Sequence, residues 1–502
     1  MFKRNLLANY VGTACTATLG VLFVPVYIRY LGLEAYGLIG TFVILQTVVG
    51  LIESVLSTVL IRELGRYRSG HATTKEVGSL CWTLFWGQAA LFFILALVLV
   101  SLFPLIARAY AARSSWTANE LAVPVVAMGL SSLLRMFESY YRGVLTGFEL
   151  QVRMNVISCC TTLMRSAGGA GLLAFGDATL VGFCSWQLVT TCLSVVAYGS
   201  ACRKMMPRSS IARRDIGDCL RSHWRFGSGV LVLSSSTTLI ALAGQSVLVA
   251  VLSLEQYGVY SMASSIAGVC GLIATPTGQS LHARVASLVG AGGRLATVGI
   301  VRGTTQVLAV IVGSLGVTFA ALPERLIMAW TGRPALARET ASVVGLLCIA
   351  AAVNAFTVVP YRLRLAMGST RFWIVTNTIA AAVSVSGYLI AGLSFGLWGI
   401  ATVAIVVNVA LVAIVCPMSL SPTLGRQSWR WLFCDILKPV AGATIAMTGF
   451  SSASARLADS RMQSAAVVVV GFCAALICSA ACAARVRGAI ARQARSTWAS
   501  FR

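Results

Sequence analysis

Charge is what this sequence has least of. Lys, Arg, Asp and Glu supply 11% of the 502 residues, only 15 residues are acidic, and histidine occurs three times. A soluble globular domain carries about a quarter of its residues charged, so that class is excluded. With so few histidines and no paired CxxC spacing, a structural metal site is not expected. The 15 cysteines are scattered mostly inside apolar stretches, as at Cys159 and Cys160 or at Cys473, Cys478 and Cys482, and read as small apolar packing. No cofactor is expected. DxD, HExxH and a phosphate-cradling glycine loop near a membrane face are all missing. The longest loops on the far side, near 105–120 and 324–339, hold no histidine, so an enzyme is not expected either.

What is present is apolar. The chain is 58% hydrophobic, with a mean hydropathy of +0.84. Stretches of about 20 apolar residues, each able to cross a hydrocarbon core of about 30 Å as a helix, recur throughout. The expected fold is an all-α polytopic membrane protein. Its fourteen spans fall near 9–30, 36–61, 80–104, 121–142, 154–176, 179–201, 226–252, 257–281, 300–323, 340–360, 372–394, 396–418, 437–455 and 463–484. The opening MFKRNLLANYVGTACTATLGVLFVP has the basic-then-apolar order of a signal peptide. Its apolar run is too long and lacks a small-residue cleavage site, so it reads as the first span.

The formal net charge is +24, yet the basic residues lie between apolar stretches rather than in one solvated block, which disfavours nucleic acid as a partner. They are also lopsided. With the N-terminus placed in the cytoplasm, 29 of the 39 Lys and Arg fall on that side and eight on the other, leaving Arg135 and Arg165 inside spans. The positive-inside rule then puts both termini in the cytoplasm.

LGLEAYG, from Leu31 to Gly37, returns as LSLEQYG from Leu252 to Gly258, a shift of 221. The same shift carries Tyr140 onto Tyr361 and Gly147 onto Gly368. Two motifs about 110 residues apart with one offset indicate a duplicated unit. Six spans per copy is an even number, so the repeats are parallel and a cavity is expected between them near the midplane. The expected organisation is an N-terminal six-helix lobe at 1–202, a basic cytoplasmic linker at 203–225, a C-terminal six-helix lobe at 226–418, and two extra spans with a basic tail at 419–502. Within the motif, Gly32 ends a helix and Glu34 suits the next helix's N-terminal dipole. Tyr36 suits the interface, and Gly37 permits close packing. Ser253 replaces the first glycine in the second copy.

A charge at mid-bilayer costs about 2.5 to 3.5 kcal/mol and needs a partner or a watery cavity. Glu53 shares a helix face with Gln46 and Ser57. Arg135, Glu138 and Arg142 follow at i, i+3 and i+7 on one face, and Arg165 sits midway through the fifth span. Such charges are concentrated in the N-terminal lobe. The Arg135 face serves either as an ion ladder locking helices together or as a cationic cavity wall for an anionic substrate. Arg29, Arg62 and Arg142 lie at span ends, where interface anchoring competes with binding.

The order NYVGT, then VPVYIRYLGLEAYGLIGTF, then IRELGRY resembles the Wzx-like polysaccharide flippases of O-antigen and exopolysaccharide synthesis, within the multidrug, oligosaccharidyl-lipid and polysaccharide exporter superfamily. The resemblance implies a V-shaped, two-lobed carrier with alternating access in the bacterial inner membrane. Its implied cargo is an undecaprenyl-diphosphate-linked oligosaccharide, with membrane lipids, a polysaccharide polymerase and export machinery as partners. On this resemblance the cavity candidates are Arg29 and Arg62 in the matching segment, joined by Arg135, Arg142 and Arg165, with Glu53 and Glu138 as coupling carboxylates. By analogy with lipid-linked peptidoglycan precursor flippases, the last two spans form a groove for the lipid tail. The rival readings are a cation-coupled multidrug exporter of the same superfamily, and a membrane polysaccharide polymerase or glycosyltransferase.

Overall fold

The computed structural model describes residues 2–176, 178–206, 242–290, 294–369, 371–454 and 460–488. Most of the expected basic linker, the first part of the expected seventh span and the end of the basic tail lie outside the described residues. All regular structure among the described residues is helical, and eleven helices are long and apolar enough to cross a membrane. The chain divides into two compact units, Met1–Gly258 and Val259–Arg502.

In unit 1, α1 covers Phe2–Leu22 and α2 covers Val24–Arg68. Between them the chain turns at Phe23. Pro25 has no N–H to give and fits only the first turn of a new helix. Gly32, at φ 85°, breaks α2 again in a region open to glycine, so the expected first and second spans meet there as one interrupted rod. Then come α3, Thr74–Ala111, and α4, Ala122–Gly147. They are followed by α5, Gln151–Phe175, α6, Leu180–Cys202, and the short α7, Leu242–Val251. A capping box starts α3: Glu76 N donates to Thr73 Oγ1 at 3.2 Å and Thr73 N donates to Glu76 Oε2 at 3.0 Å. α4 is the central helix, packed on α2, α3, α5 and α6.

The repeated motif is structural, but two of its residues work differently from expectation. Glu34 is not spent on its own helix. Its carboxylate accepts from Ser115 N at 2.6 Å and from Ser115 Oγ at 2.5 Å, tying α2 to the segment between α3 and α4. In the second copy Ser253 builds a cap where the first copy has a bare glycine. Gln256 N donates to Ser253 Oγ at 3.2 Å and Ser253 N donates to Gln256 Oε1 at 3.3 Å, opening α8, Leu254–Gly290. Close packing at the last glycine holds as expected, and it is reciprocal. A Cβ on Gly37 would strike the carbonyl of Leu254, and one on Gly258 would strike the carbonyl of Leu33.

The second matched pair shares residues without sharing a role. Gly147 is a close-packing position, where a Cβ would sit 2.7 Å from Leu64 Cβ. Gly368 is a helix-ending residue at φ 74°. The left-handed residue that ends α4 is Glu149, at φ 57°. There Leu150 N donates to Leu145 O at 2.8 Å, the same six-residue closure that Ser369 N makes to Arg364 O at 3.0 Å.

Unit 2 holds α9, Arg294–Leu308, which runs through a π-helical turn at Ala309–Gly313 into α10, Ser314–Ala321. Next is α11, Pro323–Thr331, so most of the loop expected at 324–339 is helix. α12, Pro334–Ala355, and α13, Val358–Ala366, correspond to the tenth span. α14, Arg371–Ala410, bends at Gly396, φ 56°, between the expected eleventh and twelfth spans. It continues through a second π turn, Leu411–Val415, into α15, Cys416–Leu424. α16, Gln427–Trp431, a third π turn, Leu432–Leu437, and α17, Lys438–Ser454, form the thirteenth rod. The fourteenth is α18, Arg461–Cys482. The pair α17 and α18 packs on itself and on α10 and α11, with Ala443, Met447, Val467 and Ala475 in a shared apolar seam.

Candidate functional site

Five charges on unit 1's helices converge on one place, and Glu63, a buried carboxylate 2.9 Å from Arg66, is not among them. On α4, the 3.6-residue period aligns Arg135, Glu138 and Arg142. From α5, Arg165 Nη2 reaches Glu138 Oε1 at 3.1 Å and Thr191 Oγ1 of α6 at 3.4 Å, with the Arg165 and Glu138 side chains only 14% and 13% exposed. From α2, Glu53 accepts a hydrogen bond from Ser139, with Arg135, Glu138 and Arg142 as its charged neighbours. Arg135 in turn faces Arg165, Glu138, Glu53 and Arg142. Three helices therefore supply one cluster of three arginines and two glutamates, a formal excess of one positive charge, and α6 adds Thr191.

Packing fixes this cluster from both ends. Val49, Leu133 and Met136 close it on one side, and Tyr140, Val144 and Tyr198 belong to the apolar core on the other. Tyr27 Oη donates to Ser166 O at 3.1 Å, next to Arg165, while its ring meets Phe183 edge-on at 4.9 Å. α5 approaches α6 closely because Gly168 and Gly169 have no side chains. A Cβ on Gly168 would lie 3.0 Å from the Trp186 indole nitrogen and still nearer its ring carbons. That approach is what brings Arg165 within reach of Thr191. The Nε atoms of Arg135 and Arg165 are buried without a hydrogen-bond partner. A buried donor left unsatisfied is costly, and an oxyanion is the group that would satisfy it best.

Of the residues expected from sequence, Glu53, Arg135, Glu138, Arg142 and Arg165 are brought together. Arg142 is exposed at the cluster's edge. Arg29 and Arg62 stand apart. Arg29 is exposed near the start of α2, its guanidinium 5.7 Å from the Tyr30 ring centre. Arg62 lies nine residues beyond Glu53, about 14 Å of helix rise, 3.6 Å from Glu63 Oε1.

A second buried charge went unforeseen. Asp435, in the third π turn, is fully buried in unit 2. Arg302 Nε and Gln306 Nε2, both on α9, each donate to it at 2.6 Å. Gln306 Oε1 accepts from Arg485 N at 2.8 Å, just past α18. Interior charge was expected to be concentrated in the N-terminal lobe, and the ion pair of Arg302 and Asp435 adds a buried charge to the other half. Asp435 lies two residues before the thirteenth apolar run, in a stretch that reads as loop, so periodicity gave no signal.

Residues 2–282 match the sequence model of a family described as polysaccharide biosynthesis protein. Among solved structures, the chain is similar to the lipid II flippase MurJ in an inward closed conformation. The identity is 14% and the TM-score 0.71, over 95% of this chain and 98% of that one. It is also similar to an inward-facing multidrug resistance MATE family transporter of the MOP superfamily, at 12% identity and TM-score 0.63, over 88% and 96% of the two chains. No curated protein matches the sequence. At these identities the likeness is one of fold.

Proposed function

The chain belongs to the polysaccharide biosynthesis protein family, and from that membership we propose that it flips an undecaprenyl-diphosphate-linked oligosaccharide across the bacterial cytoplasmic membrane, for exopolysaccharide, O-antigen or capsule synthesis. The observation that carries this reading is the cluster of Arg135, Arg142 and Arg165 around Glu53 and Glu138. A diphosphate offers several anionic oxygens, and the planar guanidinium fork binds such oxygens bidentately. Arg135 and Arg165 each keep a buried Nε donor for it. Arg29 and Arg62, near the two ends of α2, would act as entry and exit contacts. The oligosaccharide remains outside the arginine set, so one cluster serves different sugars.

In this cycle the cluster is exposed to the cytoplasm, receives the diphosphate head, and is then exposed to the opposite side by alternating access, while the polyprenyl tail stays in lipid. Both termini stay in the cytoplasm, and a polymerase consumes the delivered unit. Glu53 and Glu138 are the groups available for ion coupling. The same two carboxylates support a second reading, a cation-coupled drug exporter, which the arginine excess disfavours because it repels cationic cargo.

In a strain whose chromosomal copy is deleted, Arg135→Ala and Arg165→Ala should cut polymer output at least tenfold, with normal protein in the membrane and lipid-linked repeat units accumulating on the cytoplasmic leaflet. Normal polymer from both variants would remove the cluster from the transport path. Increased drug sensitivity with unchanged polymer would favour the exporter.

A further inference from the structure

A recess of about 670 Å³ opens on unit 1 between α3, α4 and α6, sharing no residue with the charged cluster. Trp82, Phe85, Tyr141 and Val196 wall it, and Arg203 and Met206 stand among its lining. The wall faces outward: Trp82 is 43% exposed and Val196 66%, values that suit helix faces turned to acyl chains rather than to water. Its aromatic side is a run of rings in mutual contact. Trp82 and Trp86 lie 5.9 Å apart between ring centres, Phe85 lies 5.7 Å from Trp86, and Phe85 lies 6.4 Å from Tyr141. Gly199 forms the floor against Tyr141, where a Cβ would come within 3.3 Å of the ring.

The recess has a polar end and an apolar end. Arg203 and Lys204 follow the last turn of α6 and are exposed, and among the described residues no carboxylate pairs with either. Val195 precedes Arg203 by eight residues, and Trp82 follows the first residue of α3 by eight. Each wall therefore runs about 12 Å from the rim into the span. This end of the helices belongs to the side richest in Lys and Arg, the side that faces the anionic leaflet of a bacterial inner membrane. A cation that no described carboxylate pairs, above an aromatic slot, matches an amphiphile with an anionic head and a long acyl chain.

We propose that this recess is a binding site for an anionic phospholipid of the phosphatidylglycerol type, its phosphate on Arg203 and one acyl chain along Trp82, Phe85 and Val196. The head and the tail are read by different residues, which makes the proposal separable into two parts. A zwitterionic lipid offers the same chains without net charge, so it loses the Arg203 contact while keeping the slot.

The test is native mass spectrometry of the full-length, delipidated protein titrated with phosphatidylglycerol or phosphatidylcholine of identical chains. Wild type should hold one phosphatidylglycerol about fivefold more tightly than phosphatidylcholine, the amount one basic residue near the membrane surface supplies. Arg203→Gln should abolish that preference, and Trp82→Ala should weaken both lipids alike. Arg430→Gln, which removes an exposed arginine of unit 2, should change neither. Equal binding of the two lipids by wild type, an unaltered preference in Arg203→Gln, or an equal effect of Arg430→Gln would overturn the proposal. So would displacement of phosphatidylglycerol by stoichiometric undecaprenyl phosphate, which would make the recess a substrate-tail site. Retained thermal unfolding of each variant separates lost binding from lost folding.

Discussion

Arg302 clamps Asp435 with two hydrogen bonds, Nε to Oδ2 at 2.6 Å and Nη2 to Oδ1 at 3.2 Å, joining α9 to the π turn ahead of α17. With Gln306 as third donor, the carboxylate is fully buried and fully engaged. Removing one member of such a pair strands the other charge, at a cost of about 3 to 5 kcal/mol. Asp435→Ala is therefore expected to lower the thermal unfolding midpoint of the detergent-solubilised protein sharply. Asp435→Asn, which keeps one acceptor for Gln306, should lower it less. An unchanged midpoint for Asp435→Ala would show that the clamp contributes nothing net.

The crossing at Gly37 and Gly258 tolerates no side chain. A Cβ on Gly37 would lie 2.9 Å from Gly258 N as well as on the Leu254 carbonyl, so the obstacle is backbone that cannot rotate aside. Gly37→Ala should destabilise by about 1 to 3 kcal/mol or more, the range for overpacking. Gly50→Ala is the matched control. It adds a methyl to the same helix where nothing lies within 4 Å, and should be neutral or stabilising by up to about 1 kcal/mol through helix propensity. Equal effects of the two would mean that the helices separate freely at this point.

Arg165 and Glu138 form an ion pair inside unit 1. In a double-mutant cycle of Arg165→Ala and Glu138→Ala, read as flipping of a lipid-linked oligosaccharide in vesicles, the two changes should show a coupling of about 1 to 3 kcal/mol, well beyond additivity. Arg165→Lys keeps the charge but loses the fork. It should retain part of the activity if the role is electrostatic and little if the geometry is bidentate. Strict additivity would show that the 3.1 Å contact is not used in transport.

The turn between α4 and α5 should be acid-sensitive. The Arg68 guanidinium, 2.6 Å from Glu149 Oε1, holds that carboxyl below its usual range through a hydrogen bond. A carboxylate depressed on folding contributes stability above its unfolded value, about 4.3, and the contribution is lost as pH falls through the lower folded value. Amide protection at Leu150, whose N donates to Leu145 O, should fall below about pH 4 after correction for intrinsic exchange. In Glu149→Gln that step should be missing. A step of equal size in the variant would assign it to another group.

The spans were legible because hydropathy and polar breaks record the lipid's demand directly. Gly32 and Gly396 fall where the sequence placed breaks between consecutive spans. The grouping of Glu53, Arg135, Glu138 and Arg165 was legible in part, since the cost of charge in hydrocarbon singles those residues out before any contact is known. What sequence could not show was their pairing. That Arg165 reaches Thr191 depends on the bare Gly168 and Gly169 letting α5 settle on α6. Asp435 was hidden for a similar reason. Its burial comes from a π turn and from α9, more than a hundred residues earlier, and it lies in the stretch left between the twelfth and thirteenth expected spans. The offset of 221 also promised more than equivalence of residues can deliver, because Gly147 packs whereas Gly368 turns the chain.

Contacts in which one residue meets a second while its counterpart meets the first are the mark of twofold pairs of identical chains. The exchange by which Gly37 meets the Leu254 carbonyl and Gly258 meets the Leu33 carbonyl has that form within a single polypeptide. A half-length ancestor pairing with its own copy would have needed one glycine to serve both sides, and any substitution there would have struck twice. In a single polypeptide each side can vary alone. The joints beside the crossing differ, one a bare glycine at 32 and the other a serine and glutamine cap at 253, whereas the crossing itself is glycine on both sides.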